Sequence, residues 1–237
     1  MKKIFLSLLA ILSFGAFPGG ADASTSFYKA QWESKLPKLE TKRQVIVVTV
    51  PNARSYQAKL YTYEKMSDGK WRAAFPVMKA VVGKTGVSSR KVEGDGKSPT
   101  GKFLFGTAFG SAVKPSAVTW PYKKTTVSDF WVDDAKSSYY NKWVNTTKMK
   151  ATWNSAEKLL QPLYKYAAVI RYNDDPIVKG KGSAIFLHVW KNEYSPTLGC
   201  TAVSEANLVK LLSWMNASKR PIIVVGTEAQ VAGYITN

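Results

Sequence analysis

The chain has 237 residues, 34 Lys and Arg against 16 Asp and Glu for a formal net charge of +18, and is 45% hydrophobic and 13% aromatic. That apolar content is too high for a disordered chain, and the glycines lack the period of collagen. A single Cys excludes an intramolecular disulfide framework, and one Cys with one His argues against a His/Cys zinc cage within the chain.

Residues 1–23 have the pattern of an export signal. Lys2 and Lys3 give a positive start, an apolar stretch runs from Ile4 to Phe17, and Ala21-Asp22-Ala23 offers small residues for cleavage before Ser24. The stretch is short for a membrane span of about 20 residues, and no later one is long enough. No Cys lies near the cut to carry a lipid anchor. The expected location is therefore exported: periplasm, cell wall or medium. A chain this basic should meet anionic partners, cell-wall polymers above all. Its cations are dispersed, as in the pairs Lys123-Lys124 and Lys219-Arg220. That favours a solvated basic surface over a nucleic-acid groove, so no nucleic-acid partner is expected.

Residues 24–43 are polar and mixed and read as an N-terminal arm. Residues 45–50 are a dense β-branched run, a buried strand. Residues 60–65 and 71–77 flank Ser67-Asp68-Gly69, a hairpin signal, and residues 79–82 continue the strand. The glycine-rich stretch 83–101 reads as loop and 102–106 as strand. Residues 110–165 hold Trp120, Trp131, Trp143, Trp153, Tyr122, Tyr139, Tyr140 and Tyr164. They read as an aromatic-rich insertion or lid, with a short helix over 155–160 interrupted around Pro162; the aromatics serve either as core or as substrate lining. Strand signals return at 167–172, 184–189 and 221–225. Between the last two, Ser204 caps a helix whose Leu208, Leu211, Leu212 and Met215 repeat at helical spacing. The expectation is one mainly β domain over 44–226 with short helices, followed by a tail at 227–237.

His188 closes an apolar strand, and Cys200 sits in a glycine-containing turn before the capped helix. If the intervening loop folds back, imidazole and thiol meet. A neighbouring imidazolium lowers a thiol pKa from about 8.5 to roughly 3.5–7.5, and a helix N-terminus also favours the anion. His188 would then take the thiol proton and return it to a leaving amine, while the N–H groups of Gly199 and Cys200 face a tetrahedral oxyanion. Alone, a buried Cys or a strand-end His is usually structural. Together, as the only such residues in an exported chain, they point to use, because a free thiol outside the cytoplasm is an oxidation hazard.

Three segments carry a resemblance to a family. They are Gly94-Asp95-Gly96-Lys97-Ser98-Pro99-Thr100-Gly101-Lys102-Phe103, then Gly180-Lys181-Gly182-Ser183-Ala184-Ile185-Phe186-Leu187-His188, then Pro196-Thr197-Leu198-Gly199-Cys200. On these the chain resembles the L,D-transpeptidase catalytic domain, the YkuD-like family, over about 44–226. The resemblance implies a mainly β, mixed sandwich-like domain with short helices and no metal or organic cofactor. It implies Cys200 as nucleophile, His188 as base, Gly199 in the oxyanion turn, and Tyr172, Asn173, Ser183 and Thr197 as substrate-binding residues. The implied reaction is acyl transfer on peptidoglycan stem peptides through a Cys thioester, serving cell-wall biogenesis and cell shape. With water as acceptor it becomes L,D-carboxypeptidase trimming. Many members carry a His two residues before the Cys and an Arg two residues after it; here these positions hold Leu198 and Ala202.

Other readings compete. Thr197 to Cys200 is similar to a sortase signature, but one residue is missing and the His lies too close. Papain-like enzymes place Cys before His, the reverse of the order here. Gly83-Lys84-Thr85 lacks the leading glycine of a phosphate loop, since position 78 is Met. A non-catalytic basic wall-binding protein, in which Cys200 and His188 only pack, is the alternative from another class.

Overall fold

The computed structural model describes residues 32–236; the export signal and most of the expected arm lie outside them. Three strands open the fold: β1 (Gln44–Val50), β2 (Gln57–Lys65) and β3 (Trp71–Val81). β2 and β3 form the expected antiparallel hairpin around Ser67-Asp68-Gly69, and Gly69 takes a φ of +77° there. Two short parallel strands, β4 (Val87–Ser88) and β5 (Ser98–Pro99), order the glycine-rich loop before β6 (Gly101–Gly110). The aromatic-rich region supplies β7 (Tyr122–Lys124), β8 (Asp129–Val132), β9 (Trp143–Asn145) and β10 (Ala156–Lys158). The chain then returns through β11 (Ala167–Ile170), β12 (Phe186–Val189), β13 (Thr201–Val203), α1 (Glu205–Trp214), β14 (Ile222–Thr227) and α2 (Glu228–Thr236).

Nine strands make one mixed sheet in the order β11-β12-β13-β3-β2-β1-β14-β6-β7, and β11 also pairs with β6. The sheet therefore wraps round and closes, so its inner face encloses a core. β1 shows why the β-branched run has no polar alternation. Ile46, Val48 and Val50 point into the main core with Leu211 and Leu212 of α1. Val45 and Val47 point the other way, onto Trp32, Leu36, Val231 and Ile235. A strand covered on both faces carries apolar residues on both, with no polar alternation to mark a solvent side. Ser204 caps α1 as its sequence indicates, its Oγ accepting from the Asn207 N–H at 3.3 Å.

Three expectations change. Residues 155–160 are not a helix: Ala156, Glu157 and Lys158 pair with Val132, Trp131 and Phe130 as strand β10. Pro162 bars a longer helix there and instead starts a 3-10 turn, Pro162–Tyr164. Residues 228–236 are not a tail but α2, because Val231 and Ile235, four apart, bury one face of it. Its start is a capping box, with Thr227 N–H donating to Gln230 Oε1 at 3.0 Å and Gln230 N–H to Thr227 Oγ1 at 3.4 Å. The described end of the expected arm, from Trp32, is core: Trp32 is fully buried, with its ring edge-on to Tyr61 and Tyr63.

The aromatic-rich region folds as its own three-stranded sheet, β10-β8-β9. Asp129, buried within it, accepts from Lys123 Nζ at 2.9 Å, Trp143 Nε1 at 2.8 Å and Asn145 Nδ2 at 3.0 Å. These donors outweigh burial and hold its carboxyl far below the usual carboxylate range. Trp131 and Trp143 pack on Phe109, Tyr164 and Phe186 beside Cys200. Those two tryptophans are thus core, whereas Tyr164 also faces a cavity.

Candidate active site

β12 and β13 run parallel, with His188 opposite Ala202 and Leu187 opposite Thr201. Side chains alternate along a strand, so His188, Ala202 and Cys200, just before β13, share one face. All three line a cavity of about 580 Å³. The apolar β-ladder thus fixes the spacing of thiol and imidazole, and the loop between them folds back as expected.

The Cys200 turn is held from several sides. Thr197 N–H donates to Val82 O at 2.9 Å, and Lys84 N–H donates to Thr197 O at 2.8 Å. The Cys200 carbonyl accepts from Thr197 Oγ1 and from Ser98 Oγ, both at 2.7 Å. Ser98 Oγ in turn accepts from the Gly83 N–H at 2.9 Å. Gly199 sits at φ +153°, where a Cβ would come within 3.1 Å of the Lys97 carbonyl. Only glycine suits that close approach. The Gly199 N–H donates to Thr197 Oγ1 at 3.2 Å, so as an oxyanion donor it must first exchange that partner.

Both reacting groups are buried, Cys200 at 7% and His188 at 5% exposure. The thiol donates to Ala184 O at 3.3 Å and accepts from the Phe186 N–H at 3.4 Å. Burial, with the nearby Glu157 carboxylate, pushes it up to about 12; the Phe186 N–H, Lys91 and Tyr164 pull the other way and lose. Burial also takes His188 down to about 4, against the carbonyls of Val189 and Leu163, which favour the protonated ring. At neutral pH burial therefore favours the neutral thiol and the neutral imidazole. That is the reverse of the expected imidazolium–thiolate pair, because desolvation disfavours both charges. His188 Nδ1 lies 2.8 Å from the Val189 carbonyl, which can only accept; the tautomer protonated at Nδ1 satisfies that contact and leaves Nε2 as the basic nitrogen.

The other residues marked in the sequence divide. Ser183 and Thr197 line the cavity. Ser183 Oγ donates to Glu93 at 2.7 Å, and Thr197 serves the turn more than the cavity. Tyr172 and Asn173 do not line it. Tyr172 donates to Lys181 O at 2.6 Å and packs edge-on against Phe103. Asn173, at φ +53°, clamps its own loop through Val178 O and Gly182 O, both at 2.9 Å. Their side-chain donors are engaged by backbone carbonyls of their own loop.

Of the aromatics in 110–165, Tyr164 reaches the cavity, beside acids that carry no local sequence signal. Tyr164 sets its ring edge-on to His188 at 5.2 Å and donates to Glu157. Burial and the neighbouring acids Asp133 and Glu93 keep the Glu157 carboxyl above its ordinary value. Glu93, Asp133 and Glu157 all line the cavity, and Asp133 Oδ1 is buried there without a hydrogen-bond partner. The lysines of the lining are Lys91, buried, and Lys191, exposed. Ala202 is fully buried and brings no charge, and Leu198 stands 75% exposed on the Cys200 turn.

Among the described residues no helix is long and apolar enough to cross a membrane. No curated protein and no solved structure matches the chain significantly. The family model of the L,D-transpeptidase catalytic domain, YkuD, matches residues 43–230. That span holds the closed sheet, the Cys200 turn and the strand bearing His188, and the chain belongs to the L,D-transpeptidase catalytic domain family, whose activity is directed at peptidoglycan.

Proposed function

We propose that the protein is an exported L,D-transpeptidase that cross-links peptidoglycan stem peptides, with Cys200 as nucleophile and His188 as base. The observation that carries this reading is the shared cavity, which the thiol and the imidazole enter from adjacent parallel strands. A stem peptide entering it places the carbonyl of an L-centre against Cys200 Sγ. His188 Nε2 takes the thiol proton as the S–C bond forms, and the carbonyl electrons move onto oxygen. The tetrahedral species collapses, the C–N bond to the terminal D-residue breaks, and the imidazolium returns its proton to the leaving amine. An amine from a second stem then attacks the thioester, gives up a proton to His188 and displaces the thiolate, which is reprotonated. A neutral resting pair suits this sequence: the charges form only when substrate has filled the cavity.

The acidic side of the cavity supports an amine as acceptor. Glu93, Asp133 and Glu157 set three carboxyl groups there in a protein of net charge +18. An incoming ammonium is the complement to that wall and to the unpartnered Asp133 oxygen. The basic surface outside the cleft suits retention on anionic wall polymers, with residues 1–23 as the export signal.

Incubation with purified muropeptides tests the reading. Mass analysis should show cross-linked dimers lighter than two donors by the terminal residue and one water. Shortened monomers alone would make the protein an L,D-carboxypeptidase. An unchanged muropeptide profile would return the chain to wall binding without catalysis.

A further inference from the structure

Lys91 is buried to 5% exposure, a rare state for lysine, and lines the catalytic cavity. Its stem runs between two glycines. A Cβ at Gly182 would lie 2.7 Å from Lys91 Cε and 3.0 Å from its Cδ; a Cβ at Gly199 would lie 3.4 Å from Nζ. Both glycines sit at positive φ, +101° and +153°. Two side-chain-free positions thus leave a passage that brings the ammonium beside the residue preceding Cys200.

The bland reading is a loop tie. Lys91 Nζ donates to Asp95 Oδ1 at 2.8 Å and approaches Val92 O at 3.4 Å. Yet that loop is already closed without the ammonium. Asp95 accepts from the Val92 N–H at 3.0 Å and from the Lys97 N–H at 2.8 Å. Burying a lysine for that closure costs desolvation, which the Asp95 ion pair offsets only in part, and the loop's own N–H bonds to Asp95 do not depend on it. An ammonium also has three protons, and two partners leave one for the cavity. The charge inventory points the same way. A thiolate at Cys200 would form on a wall shared with Glu93, Asp133 and Glu157, and Lys91 is the buried cation of that lining.

We infer that Lys91 is the fixed cation of the nucleophile turn, supporting the negative charge that forms on Cys200 Sγ and then on the substrate oxygen. The inference rests on the acyl-transfer reading of this site and names the group that offsets its acidic wall. It also accounts for a site that functions with Ala202, uncharged, two residues after the nucleophile.

The experiment is the rate of Cys200 alkylation by iodoacetamide, a neutral probe, across a pH series. His188 of β12, Tyr164 of the 3-10 turn, Glu157 of β10, and Glu93 and Asp133 along the wall also face the cavity, and the substitutions leave all of them in place. Lys91→Met keeps the stem and removes the charge. It should slow alkylation at neutral pH by about tenfold, raise the midpoint by about one pH unit, and lower kcat with a stem-peptide donor while KM holds within about twofold. Asp95→Asn removes the counter-charge and should act with the opposite sign, speeding alkylation. Mere loosening of the loop would move both variants in one direction and would overturn the inference, as would wild-type rates in Lys91→Met. Should Lys91→Met fail to fold, Asp95→Asn still decides: faster alkylation at unchanged thermal stability supports the inference, and equal or slower alkylation, or faster alkylation that comes with lost thermal stability, overturns it. A wild-type protein that turns over no stem-peptide donor and carries no thioester on Cys200 would instead overturn the acyl-transfer reading itself.

Discussion

Cys200→Ala should fold as the parent does and transfer no acyl group. Only the sulfur is lost, and its hydrogen bonds with Ala184 O and the Phe186 N–H are weak ones. Removing one buried atom costs on the order of 1 kcal/mol, a small fraction of a domain's stability. The turn itself is held by the Cys200 carbonyl, which accepts from Thr197 and Ser98 and which alanine retains. Loss of the nucleophile, by contrast, removes the thioester route entirely, a fall of about 10⁴-fold or more in turnover. Thermal unfolding and dimer formation measured on the same preparation check both halves. Retained turnover would move the nucleophile elsewhere, and collapse of the fold would make the cysteine structural. The variant has an alkaline signature too. The folded thiol, at about 12, lies above the ordinary 9.0, so its contribution to stability is complete below pH 9.0 and drains away as pH rises toward 12. Tyr63, Tyr122 and Tyr140, also raised, join only above their ordinary 10.0. The first alkaline loss therefore belongs to Cys200 and should vanish in Cys200→Ala.

His188→Ala should keep the thiol but slow the chemistry by about 10²–10⁴-fold, the usual worth of a positioned base. Cys200 alkylation near neutral pH should slow with it, because the imidazole that takes the thiol proton is gone. Equal alkylation rates in the two proteins would remove His188 from the mechanism. The stability profile carries a second mark. The folded ring, at about 4, lies below the ordinary 6.5, so the unfolded chain binds protons more readily between those values. Stability from the neutral ring is whole above pH 6.5 and is lost as pH falls toward 4, a difference on the order of 3 kcal/mol. Glu157, raised by burial, slopes the other way, its contribution fading as pH rises through its folded value. The depressed carboxyls of Asp95 and Asp129 lose their contributions only below their ordinary 3.8. Replacing His188 should therefore flatten the limb between 6.5 and 4, read from denaturant midpoints across that range.

Where the sequence was legible, it was because one side-chain period met one neighbour. β1 is a β-branched run buried at every position because both of its faces are covered, and α1 announces itself by Ser204 and the leucines at helical spacing. His188 and Cys200 stand out by rarity, and their parallel strands bring them together. α2 was readable in principle: Thr227 and Gln230 spell a capping box, and Val231 and Ile235 a face, but nine residues give too short a pattern to stand alone. β10 is a strand only because β8 lies beside it, and no local preference of Ala156, Glu157 and Lys158 requires that. Tyr172 and Asn173 were marked by likeness to the family, whereas their polar atoms close a loop. Ser98 and Lys91 stayed hidden for a topological reason. Ser98 meets the Cys200 carbonyl across 102 residues of chain, and Lys91 gains meaning only from the passage between Gly182 and Gly199.

The most direct measurement is the intact mass of the protein during brief exposure to a stem tetrapeptide, followed by mapping of any adduct. The account predicts a gain equal to the donor acyl group, carried by Cys200 as a thioester and discharged when an amine-bearing stem is added. An adduct on any other residue, or turnover of the donor with no covalent species in the wild type and an unchanged rate in Cys200→Ala, would contradict it.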